Sequence, residues 1–208
     1  MRRVLLDDSL FKALAVAIVD QPRASLKNLA DSVGVSKATL HRLCGTREQL
    51  VDQLMTHTSQ VMLALLESVD MKTANPAEAL RTLIERHLAE RELMLFLIFQ
   101  YTPDALRWAD RYSPWKAYVD GLDAFFLHGQ QRGLFRIDVP APVLADLFAS
   151  LLCGMIDSER VGRAAPAGSA RTVELFFSMA PGLKPIPAPV LPSPGQYHRA
   201  APARSLPW

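Results

Sequence analysis

The chain has 208 residues, enough for one or two domains with a hydrophobic core that needs no disulfide or metal to stabilise it. Half of the residues are hydrophobic and 21% are charged, which argues against a mainly disordered or fibrous chain. Cys44 and Cys153 are the only cysteines, so the sequence supports neither a disulfide framework nor a structural zinc site.

Charge is unevenly distributed along the chain. The net charge is +2, but residues 1–48 carry a net charge of +3, residues 49–180 carry −4 and residues 181–208 carry +3. Both ends are therefore basic and the middle is acidic.

One segment has the features of a targeting signal, because two arginines precede the apolar stretch Leu10 to Val19. Lys12 interrupts that stretch, and Asp20-Gln21-Pro22 follows it where a small-residue cleavage site belongs. No uninterrupted apolar run of about 18 residues, the length of a membrane span, occurs. We therefore predict a cytoplasmic protein with no membrane partner.

Apolar residues recur at helical spacing along most of the chain, and alternating strand patterns are nearly absent, which predicts an all-α fold. Pro22 ends the first predicted helix, and Ser25, Ser36 and Thr46 are suitable N-caps for the next three. Gly34 separates the second helix from the third. These first four helices are predicted over residues 8–21, 26–33, 37–44 and 46–69.

The rest of the chain is divided mainly by prolines and one glycine. Five further helices are predicted over residues 76–101, 104–111, 115–132, 140–162 and 169–179. Residues 181–208 contain eight prolines and almost no apolar periodicity, so we predict an extended or disordered tail there.

Two short helices joined by a glycine turn, with one helix before them and a long one after, predict a helix-turn-helix head. Projection of the third helix places Leu40, Leu43 and Cys44 on its inner side. Its outer side is small, hydroxylic and cationic, which suits the edges of base pairs in the major groove of DNA. The predicted base-reading residues are Lys37, Ala38, Thr39, His41 and Arg42.

A second set of residues is predicted to bind phosphate, because N–H groups at the starts of helices attract anions. This set contains the hydroxyls of Ser25, Ser36 and Thr46 and the cations Lys27 and Arg47. The alternative is that the hydroxyls act only as helix caps and that the cations form a solvated surface.

The segment from Asn28 to Arg42, NLADSVGVSKATLHR, together with Arg47-Glu48-Gln49-Leu50, resembles the DNA-binding head of the tetracycline-repressor (TetR/AcrR) family. Three positions depart from the family pattern: His41 replaces a usual Tyr, Cys44 a usual Phe, and Gly45 a common Pro. The change at Cys44 removes core volume, so we expect the reading helix to be less firmly seated unless a neighbour fills the space.

The resemblance implies about nine helices in a homodimer that binds a palindromic operator in double-stranded DNA and a small, often hydrophobic, effector. It implies a helix-turn-helix domain at 1–50 and a ligand-binding and dimerisation domain at 51–180, which the proline-rich tail at 181–208 follows. The fourth helix, 46–70, links the two domains.

The larger domain offers two candidate surfaces, each of which has ordinary core packing as its alternative. An apolar pocket for the effector is predicted from a concentration of aromatic residues: Phe96, Phe99, Gln100, Tyr101, Trp108, Trp115, Tyr118, Phe125 and Met155. A wide apolar arc on the helix at 140–162 predicts a four-helix dimer interface with the last helix. Its predicted residues are Leu144, Phe148, Leu151, Leu152, Met155, Val173, Phe176 and Phe177.

No catalytic, metal or cofactor motif occurs, so the sequence does not predict an enzyme. Together with the resemblance, it predicts a homodimeric repressor that a small hydrophobic or aromatic ligand releases from a palindromic operator. Two alternatives stay open: a helical ligand-binding protein whose head no longer recognises DNA, and a small helical enzyme. A thiol switch at Cys44 is a further hypothesis, against which a buried neutral thiol is the simpler expectation.

Overall fold

The structure is a computed structural model that describes residues 7–69, 75–100 and 115–177. Within these ranges the chain forms nine helices and no β-strand, which confirms the predicted all-α fold. The helices are α1 (Asp8–Asp20), α2 (Leu26–Ser32), α3 (Lys37–Cys44), α4 (Arg47–Glu67), α5 (Pro76–Ala89), α6 (Arg91–Gln100), α7 (Lys116–Gln131), α8 (Ala141–Arg160) and α9 (Pro166–Phe177). The predicted helix at 104–111 and the predicted tail at 181–208 lie outside the described residues.

Helices α1 to α3 pack with the start of α4 into a small head. Gly34 adopts a positive φ of 72° between α2 and α3, a conformation that glycine reaches without a steric penalty. Leu14, Ile18, Leu40 and Leu50 are almost completely buried between the helices. The head therefore has a core of its own, built from the apolar stripe of each helix.

The helix predicted over 76–101 is two helices, because the chain turns at Glu90. The backbone N–H of Glu90 donates to His87 O and ends α5, and α6 begins at the next residue. The break was not visible in the sequence, since residues on both sides of it follow helical spacing. It lets α5 pack on α9 while α6 packs on α1 of the head.

The larger part of the protein is assembled around α8, which contacts α5, α6, α7 and α9. Phe126, Phe148 and Phe177 pack with ring centroids 5.3–5.8 Å apart and are almost fully buried. Helix α8 is long and apolar enough to cross a membrane, with a mean hydropathy of 1.4. The core helix of a soluble protein can have the same length and hydropathy. Its buried stripe, which includes Phe148, belongs to this core.

An ion-pair cluster joins the head to α5 and α6. Lys12 Nζ in α1 lies 2.8 Å from Asp8 Oδ2 and 2.7 Å from Glu90 Oε2, at the α5–α6 junction. His57 in α4 lies 3.1 Å from Asp8 Oδ1 and stacks on Phe11 with ring centroids 4.2 Å apart. The two carboxylates raise the pKa of Lys12 above its ordinary value, so this cation is retained at neutral pH. Helices α1, α4, α5 and α6 thus meet at one point.

Candidate nucleic-acid interface

Helices α2, α3 and α4 each begin with a hydroxyl side chain that caps the helix. Ser25 Oγ accepts from Asn28 N at 3.3 Å, and Ser36 Oγ accepts from Thr39 N at 3.0 Å. Thr46 forms a capping box with Gln49, in which each side chain accepts from the other residue's backbone N–H. All three hydroxyl residues are exposed, so capping leaves them on the surface beside the positive ends of their helices.

The outer side of α3 is exposed as the helical projection predicts. Lys37, Ala38, His41 and Arg42 lie on the surface. Thr39 is half-buried, and its Oγ1 lies 2.9 Å from Ser36 Oγ. Four of the five predicted base-reading side chains are thus free to reach a partner, and Thr39 stands at the edge of the same surface.

The cations of the head differ in what surrounds them. Lys27, Lys37 and Arg42 are exposed, and within the described part of the chain none of them forms an ion pair with a carboxylate. Such cations can donate to phosphate oxygens, and Lys37 or Arg42 on α3 can donate to the acceptor edge of guanine.

Arg47 differs from these cations because its guanidinium is held by the protein. Its Nε donates to Ala24 O at 3.2 Å, and its Nη2 donates to Pro22 O at 2.7 Å. The residue is half-buried at the start of α4. Arg47 therefore makes contacts within the head, and their acceptors lie more than twenty residues earlier in the chain.

Cys44 faces the interior of the head, as predicted. Its side chain is buried, and its Sγ donates to Leu40 O at 3.1 Å. Burial raises the pKa of this thiol, which favours the neutral form and gives the thiol-switch hypothesis no support. An open surface depression of about 420 Å³ lies beside Cys44 and is lined also by Gly45, Gln49 and Asp52. The position where the family pattern has a phenylalanine therefore borders this depression.

Gly45 ends α3 with φ 75° and ψ −110°, a conformation that side chains strongly disfavour. A Cβ added here would also collide with Oε1 of Gln49, whereas one added at Gly34 would meet nothing within 4 Å. We expect Gly45→Ala to lower the free energy of unfolding by about 2–3 kcal/mol, through backbone strain and loss of the capping box. Urea unfolding measures this loss, with Gly34→Ala as the control that carries backbone strain alone. Equal losses in the two variants would contradict the role of Gln49.

The predicted pocket residues differ in how deeply they are buried. Phe96, Trp115, Tyr118 and Phe125 are buried together in the larger part of the protein, while Phe99 is 42% exposed. Met155 is half-buried on α8. Tyr101, Trp108 and the side chain of Gln100 lie outside the described residues.

A buried polar pair lies among the aromatic residues. Tyr118 O–H donates to His87 Nε2 at 2.8 Å, and His87 Nδ1 donates to Leu83 O at 2.7 Å. His87 is completely buried. Burial lowers its pKa to about 4, so the imidazole is neutral at physiological pH.

The predicted dimer residues need correction. Five of the eight lie in the core of the protomer and are not available to a second chain: Leu144, Phe148, Leu152, Val173 and Phe177. Leu151 and Met155 are half-buried, and Phe176 is 58% exposed. The outward apolar side chains of these two helices also include Val143, Leu147 and Leu175. Hydrophobic periodicity located two apolar faces but did not indicate which of them the protomer buries.

Comparison with known proteins finds a relative that is similar along most of its length. NfxB, an HTH-type transcriptional regulator of Pseudomonas aeruginosa, is 54% identical to this chain over 171 residues, which cover 82% of this chain and 91% of NfxB. No protein-family model matches the chain.

Solved structures with the same fold include two regulators crystallised with ligands. The TetR-like regulator LfrR of Mycobacterium smegmatis, in complex with proflavine, aligns with a TM-score of 0.63 at 22% identity, covering 80% of this chain and 90% of LfrR. AibR, in complex with isovaleryl coenzyme A and operator DNA, aligns with a TM-score of 0.61 at 22% identity, covering 82% and 96% of the two chains. At these identities the likeness concerns the fold.

Proposed function

Since the chain belongs to the TetR family of transcriptional regulators, we propose that it is a homodimeric repressor that leaves a palindromic operator when a small hydrophobic or aromatic ligand binds. We assign it to the cytoplasm, where it has access to DNA, with no catalytic role of its own. We place the DNA-binding head at 1–50, with α4 leading into a ligand-binding and dimerisation domain at 51–180.

The observation that carries the proposal is the outer side of α3. Lys37, His41 and Arg42 are exposed there, the two strong cations have no carboxylate partner in the described chain, and Ala38 lets the backbone approach the groove closely. The capped N termini of α2 and α4 add phosphate-binding positions beside Ser25 and Thr46. Base edges would be read by α3, and phosphate contacts would fix its register.

Dimerisation is supported by the apolar side chains that the protomer leaves exposed. On α8, Val143 and Leu147 are 44% and 45% exposed, and on α9, Leu175 and Phe176 are 56% and 58% exposed. Helices α8 and α9 pack against each other, so a two-fold axis can bring both into a four-helix interface. Two copies of α3 would then read two half-sites about one helical turn apart.

The effector site is proposed around Phe96, Trp115 and Tyr118, where aromatic faces and the phenolic hydroxyl suit an apolar or aromatic molecule with a polar group. LfrR, described in complex with proflavine, supports a planar aromatic ligand by analogy. The cluster of Lys12, Asp8 and Glu90 connects this part of the protein to the head. A coupling of about 1–3 kcal/mol through that connection would change operator affinity roughly 5- to 150-fold.

Selection of genomic DNA fragments with the purified protein tests the proposal, and we expect an inverted repeat among the bound fragments. Arg42→Ala should weaken binding to the selected fragment by about 10-fold or more, because a base contact contributes about 1–3 kcal/mol. Thr39→Ala should weaken it less. Arg163→Ala, which removes an exposed arginine beyond α8, is the control and should bind as the wild type does.

A head without DNA recognition would give a different result. Binding would then be weak, would lack a steep dependence on salt, and would be indifferent to Arg42→Ala. Turnover of an apolar substrate by the purified protein would favour a helical enzyme instead.

A further inference from the structure

Arg47 connects two segments of the head that are distant in sequence. It is the first residue of α4, and its guanidinium reaches back to the loop between α1 and α2, where it donates to Ala24 O and Pro22 O. That loop is a turn closed by the bond from Ala24 N to Gln21 O at 2.9 Å. The residue after Ala24 is Ser25, the N-cap of α2.

These contacts assign Arg47 a role other than the phosphate contact predicted for it. We propose that Arg47 is a positioning residue: it holds the turn at 21–24 against α4 and so fixes where the N terminus of α2, with Ser25 and Lys27, meets the DNA backbone. The proposal rests on the proposed function, because α2 needs a fixed position only if its N terminus binds DNA.

The shape of the guanidinium explains why this position uses arginine. Nε and Nη2 belong to one rigid planar group, and here they reach carbonyl oxygens of two residues in the same turn. A lysine ammonium keeps the charge but lacks that fork. A cation in the first turn of a helix also faces the positive end of the helix dipole, and the two carbonyl oxygens offset that repulsion.

Lys27 is the natural contrast within the same head. It is exposed in the first turn of α2, and no carboxylate pairs with it in the described part of the chain. The salt slope is the steepness with which the logarithm of the binding constant falls as the logarithm of the salt concentration rises. If Lys27 binds a phosphate, removal of the cation should lower this slope by about 0.9 for each phosphate that is no longer neutralised. A positioning residue predicts lower affinity at a nearly unchanged slope, provided that the charge is kept.

The experiment compares Arg47→Lys, Arg47→Ala and Lys27→Gln in the full chain, using the inverted-repeat fragment obtained from the genomic selection. We expect Arg47→Lys to weaken binding by about 10-fold, close to the effect of Arg47→Ala, with the wild-type salt slope. Lys27→Gln should lower the slope by about one for each subunit. Circular dichroism confirms that each variant keeps its helix content.

Amide hydrogen exchange of the protein without DNA gives the second readout. The amides of Ala24 and Leu29 are bonded to Gln21 O and Ser25 O, so they report on the turn and on the first turn of α2. We expect both to exchange faster in Arg47→Lys, while the amides of α8 are unchanged. Lys27→Gln should leave the two head amides as they are in the wild type.

Two results would overturn the assignment. The first is that Arg47→Lys binds the operator nearly as tightly as the wild type while Arg47→Ala shows a lowered salt slope. These two observations together would identify a phosphate contact. The other is unchanged exchange of Ala24 and Leu29 in both Arg47 variants. If the selection yields no inverted repeat, the proposed function fails, and unchanged exchange rates in the free protein would still overturn the positioning role separately.

Discussion

The double substitution Leu147→Glu and Phe176→Glu is expected to convert the proposed homodimer into monomers. Both side chains are apolar and about half exposed in the protomer, one on α8 and the other on α9. In the proposed four-helix interface each new carboxylate would be desolvated without a partner and would face its own copy across the two-fold axis. We expect the dimer dissociation constant to rise by about 100-fold or more, as measured by sedimentation velocity over a concentration series.

The control is Ile137→Glu, which places the same charge on an apolar residue that is 77% exposed between α7 and α8. This variant should sediment as the wild type does. Because Leu147 and Phe176 are not core residues, the double variant should keep its helix content and its thermal midpoint at low protein concentration. A double variant that remains dimeric would place the interface on another surface.

Loss of the dimer also has a predicted effect on DNA. A monomer has one α3 and half of the phosphate contacts, so its affinity for the inverted repeat should fall steeply and its salt slope should be about half that of the wild type. If the monomeric variant binds the full repeat as tightly as the dimer does, the two-headed reading of the operator is wrong.

Local sequence signals predicted most of the helix boundaries, because helix ends are determined by neighbouring residues. Ser25, Ser36 and Thr46 each cap the helix for which they were chosen, and the segment around Gly34 forms the predicted turn. The family resemblance rests on that same segment and is confirmed by the similarity to NfxB. The last helix begins at Pro166, three residues before the predicted start, since proline is well suited to the first turn.

Features that depend on distant residues were not accessible from the sequence. Lys12 binds Glu90, and Arg47 binds the turn at Ala24, but neither pair has a local pattern that would indicate it. Helical periodicity also gives the spacing of apolar faces without their orientation. Both faces of α8 were therefore assigned to the dimer, although Phe148 points into the core and Leu147 points outward.

His87 is expected to make the protein less stable as the pH falls from 6.5 towards 4. The folded imidazole, buried between Tyr118 and Phe148, has a pKa lowered to about 4, whereas an unfolded histidine has the ordinary value of 6.5. Between these values the unfolded state binds the proton and the folded state does not, so the free energy of unfolding decreases as the pH decreases. The free energy of unfolding falls by roughly 3 kcal/mol in total between pH 6.5 and 4. Above pH 6.5 His87 causes no loss of stability.

The neighbours Tyr118 and Cys153 supply no negative charge that would stabilise a protonated His87. Burial raises the pKa of Tyr118, which stays neutral and donates to Nε2, and burial raises the pKa of Cys153 to about 11. With no carboxylate among these contacts, a charged imidazole would be buried beside a neutral phenol and an aromatic ring.

Urea unfolding at a series of pH values between 7 and 4.5 measures this dependence, and the double variant His87→Leu with Tyr118→Phe isolates it. Replacing both partners avoids leaving Tyr118 without its acceptor, so the double variant should remain folded. As the pH falls across this range, the free energy of unfolding should decrease more steeply in the wild type than in the double variant. The two slopes should differ by up to about 1.4 kcal/mol for each pH unit. Carboxylates whose pKa is lowered in the fold, such as Asp8 and Glu174, add their own loss of stability at the acid end in both proteins and cancel in the difference. Identical pH profiles for the two proteins would show that His87 takes up its proton as readily in the folded chain as in the unfolded one.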